Sequence, residues 1–428
     1  MGRYVTVVIN TDGLYQVGAR GYSDVGIVGG GVGAGFTVDT PYTINSPADA
    51  KVLFGETSAL YQSILLLFSN GASKVIAVAA DLEDQTPETF DGTGSQTEYT
   101  LSGIPAQPMG AVTIDAAPQY EGEDFYVDYG NGKVIFYVAP AVGTDNISIT
   151  WSLHTLTFVN AALTVMESQN VQLMALAMVF ETSLLSAFKT HCDAMKTVNA
   201  RIGCFMLKNG ETSTTLAATL ASECSVLVAH KSLKDPSSGV CGKIASLRPW
   251  KDLTMKSIGD LVNAGNFSNS EQSAFDLAQI IHLFDPPKLT GTGVVVSLGT
   301  TLDDTGTLIF IDQVRVAHHL AGVLEFGLTN PNVIGEMKMN LNGLRELNAY
   351  ISSLLNPWVK AGEIESFRIE NPALVLFSIA EPTAEDISNM TALQTSRRLN
   401  GAYVVGVELV YAGTIIYIEI NASLVGGV

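Results

Sequence analysis

The chain has 428 residues, 47% of them apolar and only 15% charged, with a formal net charge of −19. That length allows two to four domains with a substantial core, and the charged share is low against about 25% in ordinary soluble proteins. The composition suits a subunit whose surface is covered by assembly, and the acidic balance argues against direct nucleic-acid binding, which needs basic faces on phosphate.

Cys192, Cys204, Cys224 and Cys241 form no CxxC pair. The pattern predicts buried thiols in a reducing compartment rather than disulfides or metal ligands. The opening MGRYVTVVINTDG has no apolar h-region and no cleavage site, so no signal peptide is expected and folding in a cytoplasm is. Apolar runs such as Ile64 to Phe68 are far short of the ~20 residues a membrane span requires, so no membrane insertion is expected.

Arg3 to Asn10 reads as a strand, and Asp24 to Val28 as a second, leading into the glycine loop Gly29 to Gly35. Gly29, Gly31 and Ala34 match the loose form of a dinucleotide fingerprint. That motif needs a helix directly after it, to aim amides at a pyrophosphate. Here FTVDTPYTINSPAD follows, β-rich and interrupted by Pro41 and Pro47, so a mobile loop between two strands is the expectation and no cofactor is assigned. Ser46, Pro47 and Asp49 open a helix, with a cap, a first-turn proline and an acid that complements the dipole. Ser58 to Phe68 reads as a second helix with Leu60, Ile64, Leu67 and Phe68 along one side, and Lys74 to Ala80 as a buried strand.

The texture changes at Asp81. From Thr86 to Trp151 there is no helical period, only short strands: Glu98 to Leu101, Ala111 to Asp115, Phe125 to Asp128, Lys133 to Tyr137 and Ile147 to Trp151. Asn131-Gly132 between two of them is a hairpin cue. This predicts a small β-sandwich inserted into an α/β domain. Residues 84–155 hold ten acids and Lys133 alone, which fits a solvated, outward position. The acids Glu121, Glu123 and Asp124 read as a solvated loop rather than calcium ligands.

The α/β alternation then resumes. Helices are expected over Asn160 to Ser168, Leu184 to Val198 and Thr214 to Ser222, and strands over Val171 to Phe180, Ile202 to Leu207 and Ser225 to His230. Lys231 to Gly239 reads as a polar loop, Cys241 to Leu247 as a helix, Ser270 to Phe284 as a helix and Gly293 to Thr300 as a strand. In the last part Leu308 to Ile311 reads as a strand and Asp312 to Gly327 as a helix. Val333 to Leu355 has Ile334, Met337, Leu341, Leu344, Leu347 and Ile351 at helical spacing, with Asn356-Pro357 expected to interrupt it. Ile364 to Glu370 reads as a strand and Ser388 to Arg398 as a short helix. Tyr403 to Tyr411, a turn at Ala412-Gly413, and Thr414 to Asn421 make a terminal ribbon with Ile416, Ile418 and Ile420 on one face. Such an apolar strand needs its edge paired, in its own domain or in a neighbour.

Enzyme signatures are absent: no GxSxG, HExxH or GxxxxGK[ST] occurs. The six histidines are scattered, and His318-His319 point apart on a helix. Neither a catalytic nor a metal-binding residue is assigned.

The residues carry a resemblance. RYVTVVIN followed by SDVGIVGGG, the segment PYTINSPADAKVLFGETSALYQSILLLFSNGASKVIAV, the segment NPNVIGEMKMNLNGLRELNAYISSLLNPWVKAGEIESFRI and the ending AYVVGVELVYAGTIIYIEINASL occur in the order seen in sheath proteins. Over about 1–83 and 160–428 the chain resembles the sheath protein of contractile phage tails and related injection machines. The inserted sandwich resembles modules recurrent in virion structural proteins.

The resemblance implies an α/β, multidomain structural protein and no enzyme. Its domains would be an amino-terminal linking arm over 1–20, a discontinuous α/β domain over 21–84 and 156–302, and the outward-facing sandwich over 85–155. A carboxy-terminal domain facing the tube over 303–412 and a linking strand over 413–428 would follow. It implies stacked hexameric rings of this chain around an inner tube protein, with baseplate and tail terminator proteins as further partners. The particle would be a virion tail assembled in the host cytoplasm. Strand exchange between subunits would use Tyr4, Val5, Val7, Ile9, Ile416, Ile418 and Ile420. Lys338, Arg345, Lys360, Arg397 and Arg398 would face the tube. Two readings from other classes stand beside it: a nucleotide-binding α/β enzyme using Gly29 to Gly35, and a glycan-binding surface protein using Tyr120, Phe125, Tyr126 and Tyr129.

Overall fold

A computed structural model describes residues 23–262, 265–286, 293–306, 308–328, 341–371, 378, 383–386, 388–389, 404–411 and 422–423. The chain divides into two compact units between Ile311 and Asp312.

The first unit opens with β1 (Val25–Gly30), β2 (Pro41–Ile44), α1 (Pro47–Phe54), α2 (Ala59–Ser69) and β3 (Val75–Ala80). Ser46 and Ser58 cap the two helices as their sequences predict, accepting from the Asp49 and Tyr61 amides at 3.3 and 3.1 Å. After an insertion come α3 (Leu156–Glu167), β13 (Leu173–Leu176), α4 (Thr182–Ala194), β14 (Ile202–Met206), α5 (Thr215–Thr219), β15 (Ser225–Ala229), α6 (Pro236–Ser246), α7 (Asn269–Leu277), β16 (Ile281–Phe284) and β17 (Val295–Val296). The strands form one sheet in the order β17-β16-β15-β14-β13-β1-β3-β2. The six from β16 to β3 are parallel and the two edge strands antiparallel. Pro41, lacking an N–H, begins an edge strand, where the missing donor costs no ladder bond.

Helices on both faces bury β1, β3, β13, β14 and β15 completely, which is why these strands read as unbroken apolar runs. On one face α3 and α4 set Val159, Leu163, Met166, Leu184 and Phe188 into a core with Val28, Met174 and Phe205. On the other lie α2 and α6, packed on each other. A Cβ on Gly242 would stand 2.5 Å from the Leu67 carbonyl oxygen, so glycine is what lets these helices approach.

The insertion supplies β4 (Glu83–Asp84), β5 (Glu88–Gly92), β6 (Glu98–Thr100), β7 (Val112–Ile114), β8 (Ala117–Gln119), β9 (Phe125–Asp128), β10 (Lys133–Phe136), β11 (Gly143–Ile149) and β12 (Ser152–Leu153). A β4–β12 ribbon is its neck. A three-stranded sheet (β6-β10-β9) and a four-stranded sheet (β5-β11-β7-β8) share a core of Phe90, Tyr99, Phe125 and Phe136, with ring centroids 5.5 to 5.7 Å apart. The β9–β10 hairpin is present. Its connection is four residues, Tyr129 to Gly132, with Gly132 at φ +64.

Several expectations are corrected. Lys231 to Gly239 is not wholly loop: α6 begins at Pro236, capped by Asp235. The helix from Ser270 stops at Leu277, because Gln279 turns to φ +58 and the apolar run Ile281–Phe284 leaves as β16. Gly293 to Thr300 shrinks to two strand residues. Leu308 to Ile311 makes a single bridge, Phe310 to Thr300, before the next helix.

The second unit contains α8 (Ile311–Leu328), α9 (Leu341–Lys360), β18 (Ile364–Glu370), β19 (Val404–Tyr411) and β20 (Ala422–Ser423). Leu344, Leu347, Ile351 and Leu355 form the buried stripe of α9. Pro357 lies within that helix rather than ending it, only three residues from its end. β18 pairs antiparallel with β19, whose Val405, Val407 and Leu409 alternate into the core, and β19 pairs with β20 through Val404–Ser423 and Val405–Ala422. Ile334, Met337 and the ribbon Thr414 to Asn421 lie outside the described residues, as does most of Ser388 to Arg398.

Candidate functional site

In a doubly wound sheet, ligands bind outside the carboxyl ends of the strands, where the strand order reverses. Here the reversal lies at β1, flanked by β3 and β13. The glycine loop leaves β1 at this point and is pinned rather than mobile. The Val32 and Gly33 amides donate to the Phe54 carbonyl at 3.0 and 3.1 Å. They therefore cap the C-terminal end of α1, the negative end of a helix dipole, which is the wrong sign for a pyrophosphate. A Cβ on Gly33 would come 2.1 Å from the Leu53 carbonyl oxygen. Gly33→Ala is expected to destabilise the first unit by about 1–3 kcal/mol, read from urea melts, because backbone must move to admit it.

The insertion covers the neighbouring strand ends. Gly130 sits against Phe180, Lys208 and Asn209, which follow β13 and β14. The Ala59 amide at the start of α2 donates to the Gln107 carbonyl of the insertion at 3.3 Å. Cavities remain at these strand ends: one of about 310 Å3 between Gln62, Leu66, Gln107, Met178 and Lys234, and one of about 150 Å3 between Phe180, Lys208, Glu211 and Leu216. In the larger one the Lys234 ammonium donates to the Asp260 carbonyl at 2.9 Å, and Gln62 donates to the Glu56 carbonyl at 2.7 Å. Asp235 beside it is buried and accepts from the hydroxyls of Ser63, Ser237 and Ser238, each at 2.6 Å. His230 is held neutral by burial, its pKa lowered to about 4. Its Nε2 donates to the Leu207 carbonyl at 2.8 Å and its Nδ1 accepts from the Ser232 amide at 3.1 Å. Among the described residues no cluster of three His, Cys, Asp or Glu is placed to share a metal ion. All four cysteines are free and buried, and burial raises the Cys192 and Cys224 thiols far from thiolate formation. No described helix is long and apolar enough to cross a membrane.

The four aromatics of the glycan reading do not form one exposed platform. Phe125 and Tyr129 are core residues, 2% and 4% exposed, whereas Tyr120 is 59% exposed. The Tyr129 hydroxyl accepts from the Met109 amide and donates to Glu121. Tyr126 is half-buried against Tyr137.

Of the tube-facing candidates, Arg345 and Lys360 are exposed on α9. Lys338, Arg397 and Arg398 lie outside the described residues, as do Tyr4, Val5, Val7, Ile9, Ile416, Ile418 and Ile420. Among the described residues β18 pairs with β19 alone, and Glu365, Ser366 and Arg368 on it are exposed.

No protein-family model and no curated relative matches the sequence. Solved structures do match. A sheath tail protein from Desulfitobacterium hafniense aligns at TM-score 0.58 and 12% identity, over 97% of this chain and 99% of that one. A sheath tail protein from Listeria innocua aligns at TM-score 0.55 and 13% identity, over 95% and 96%. The sheath complex of an extracellular contractile injection system, in its contracted state, aligns at TM-score 0.57 and 13% identity, over 96% and 91%. Along nearly its whole length, the chain has the fold of the sheath proteins of contractile tails and contractile injection systems.

Proposed function

We propose that this chain is a structural subunit of a contractile sheath. It polymerises on itself, as stacked hexameric rings around an inner tube, and shortens to drive the tube through a target envelope. The observation that carries this reading is the two-way coverage of the fold match, 97% of this chain and 99% of its neighbour, at the scale of the whole subunit. The crevice supports it: the insertion packs against the strand ends where an α/β enzyme binds substrate. Baseplate and tail terminator proteins are further proposed partners; an anti-feeding prophage baseplate is among the similar structures. The particle is proposed to be a phage tail or a related injection device.

Contraction in this scheme draws on new contacts between subunits and consumes no nucleotide. Neighbours stay linked through shared strands as their bodies rotate, with Arg3 to Asn10 and Thr414 to Asn421 as the donated segments and β18–β19 as the receiving sheet. Negative-stain microscopy of the purified chain, alone and with a candidate tube protein, tests the reading: striated tubes are the expected result. A chain deleted from Thr414 to Val428 is expected to fold and remain monomeric. Tubes formed normally by that truncation would overturn the strand-sharing scheme. Charge reversal at Arg345 and Lys360 is expected to weaken co-assembly with the tube in salt titrations.

A further inference from the structure

Exposed apolar side chains gather at the far tip of the inserted module. β5 runs away from the neck, β10 runs away from the loop that lies on the body, and β11 returns. The loop joining β10 to β11 therefore forms the far end. On it, Tyr137, Val138 and Val142 are 55%, 79% and 82% exposed. The Gly94 amide donates to the Pro140 carbonyl at 2.9 Å, which brings the β5–β6 loop to the same tip. Carboxylates rim it. Asp91 accepts from the Asp145 amide at 2.7 Å, and both residues are exposed. The Tyr137 amide donates to the Asp124 carbonyl at 3.0 Å, which brings the backbone next to exposed Glu123 to the start of this loop. The module's one base, Lys133, is already paired with Glu98.

The opposite end of the same unit is basic. α6 starts at the carboxyl edge of the sheet and runs back, so its last turn reaches the amino edge, where Ser246 meets Gly71. Lys243 stands in that turn, and exposed Arg248 and Lys251 follow. The Lys251 amide donates to the Arg248 carbonyl at 2.9 Å, folding both cations into one corner, and the Arg248 guanidinium lies 5.5 Å from the Trp250 ring. Residues 243–256 hold four bases and Asp252 as the sole acid, net +3 in a chain of −19.

We propose that the tip of the inserted module docks on the Lys243–Arg248–Trp250–Lys251 corner of a second copy of this chain. Both surfaces belong to one unit and lie at its opposite ends, so they meet only between copies. A contact between two different patches of identical subunits is head-to-tail, and repeats into a ring or a helical array. An apolar centre with a charged rim is the usual build of an interface, and opposite charges steer and orient it. The acidic rim also selects against an anionic partner such as nucleic acid or an acidic lipid surface. This inference rests on the self-assembly reading above and assigns it a pair of surfaces.

Three full-length variants test it: Glu123→Lys with Val142→Lys, Arg248→Glu with Lys251→Glu, and all four substitutions together. Each melts like the wild type if the changes are confined to the surface, and assembly is followed by sedimentation and microscopy. Each pair is expected to raise the concentration needed for assembly roughly tenfold or more, and the fourfold variant to recover most of that loss. Pairs that assemble at the wild-type concentration overturn the inference, as does a fourfold variant no better than the pairs. A wild-type chain that stays monomeric overturns the sheath reading, and this one with it.

Discussion

Replacing Arg201 with alanine is expected to destabilise the first unit by about 3–5 kcal/mol. The side chain is fully buried. Its guanidinium donates to the Met166 and Gln169 carbonyls at 3.0 and 3.3 Å, at the C-terminal end of α3, and to the Asn199 carbonyl at 3.2 Å. Its Nη1 also lies 3.1 Å from His191 Nε2. A fixed fork of five donors matches this set, and the negative end of the α3 dipole favours a cation there. Truncation to alanine leaves buried carbonyls unsatisfied and a large void. Arg201→Lys retains the charge but lacks the fork, so it recovers only part of the loss. Urea melts of the three proteins check the order wild type, Lys, Ala; an alanine variant within about 1 kcal/mol of the wild type would contradict this account of the residue.

Arg201 also marks what the sequence hides. Local signals were legible wherever the chemistry is local. Ser46 and Ser58 cap the helices they precede, the stripe Leu344-Leu347-Ile351 faces inward on α9, and the fully apolar runs are the buried parallel strands. Where a distant partner decides, the reading failed. Pro236-Ser237-Ser238-Gly239 looks like a polar loop, yet it is the buried start of α6, because Ser237 and Ser238 join Ser63 of α2 in satisfying Asp235. β16 is hard to separate from the preceding helix in the sequence, because Gln279 adopts a left-handed backbone without being glycine. The candidate crevice shows the same divide. The missing helix after Gly35 was visible, but the covering of the strand ends depends on Gly130 meeting Phe180 across 50 residues, which no local pattern encodes.

Acidification is expected to remove much of the first unit's stability before its carboxylates are all protonated. His154 and His230 are 7% and 1% exposed, and burial lowers both pKa values from 6.5 to about 4. His230 is locked as a neutral tautomer by its two hydrogen bonds. His154, between the neck strand β12 and the start of α3, has no hydrogen-bond partner for either ring nitrogen among the described residues. In both, the folded state resists a proton that the unfolded chain accepts readily. Their contribution is therefore complete above pH 6.5, declines as pH falls from 6.5 towards 4, and changes no further below that. Each residue is expected to account for roughly 3 kcal/mol across that window. Denaturant melts at pH 7 and pH 4.5 measure it. His154→Leu, which fills the same buried position without a titratable group, should flatten the pH dependence by about the share of one histidine. A variant whose stability falls as steeply as the wild type over that window would show that His154 is protonated in the fold at little cost, and that the neck is looser than its burial indicates.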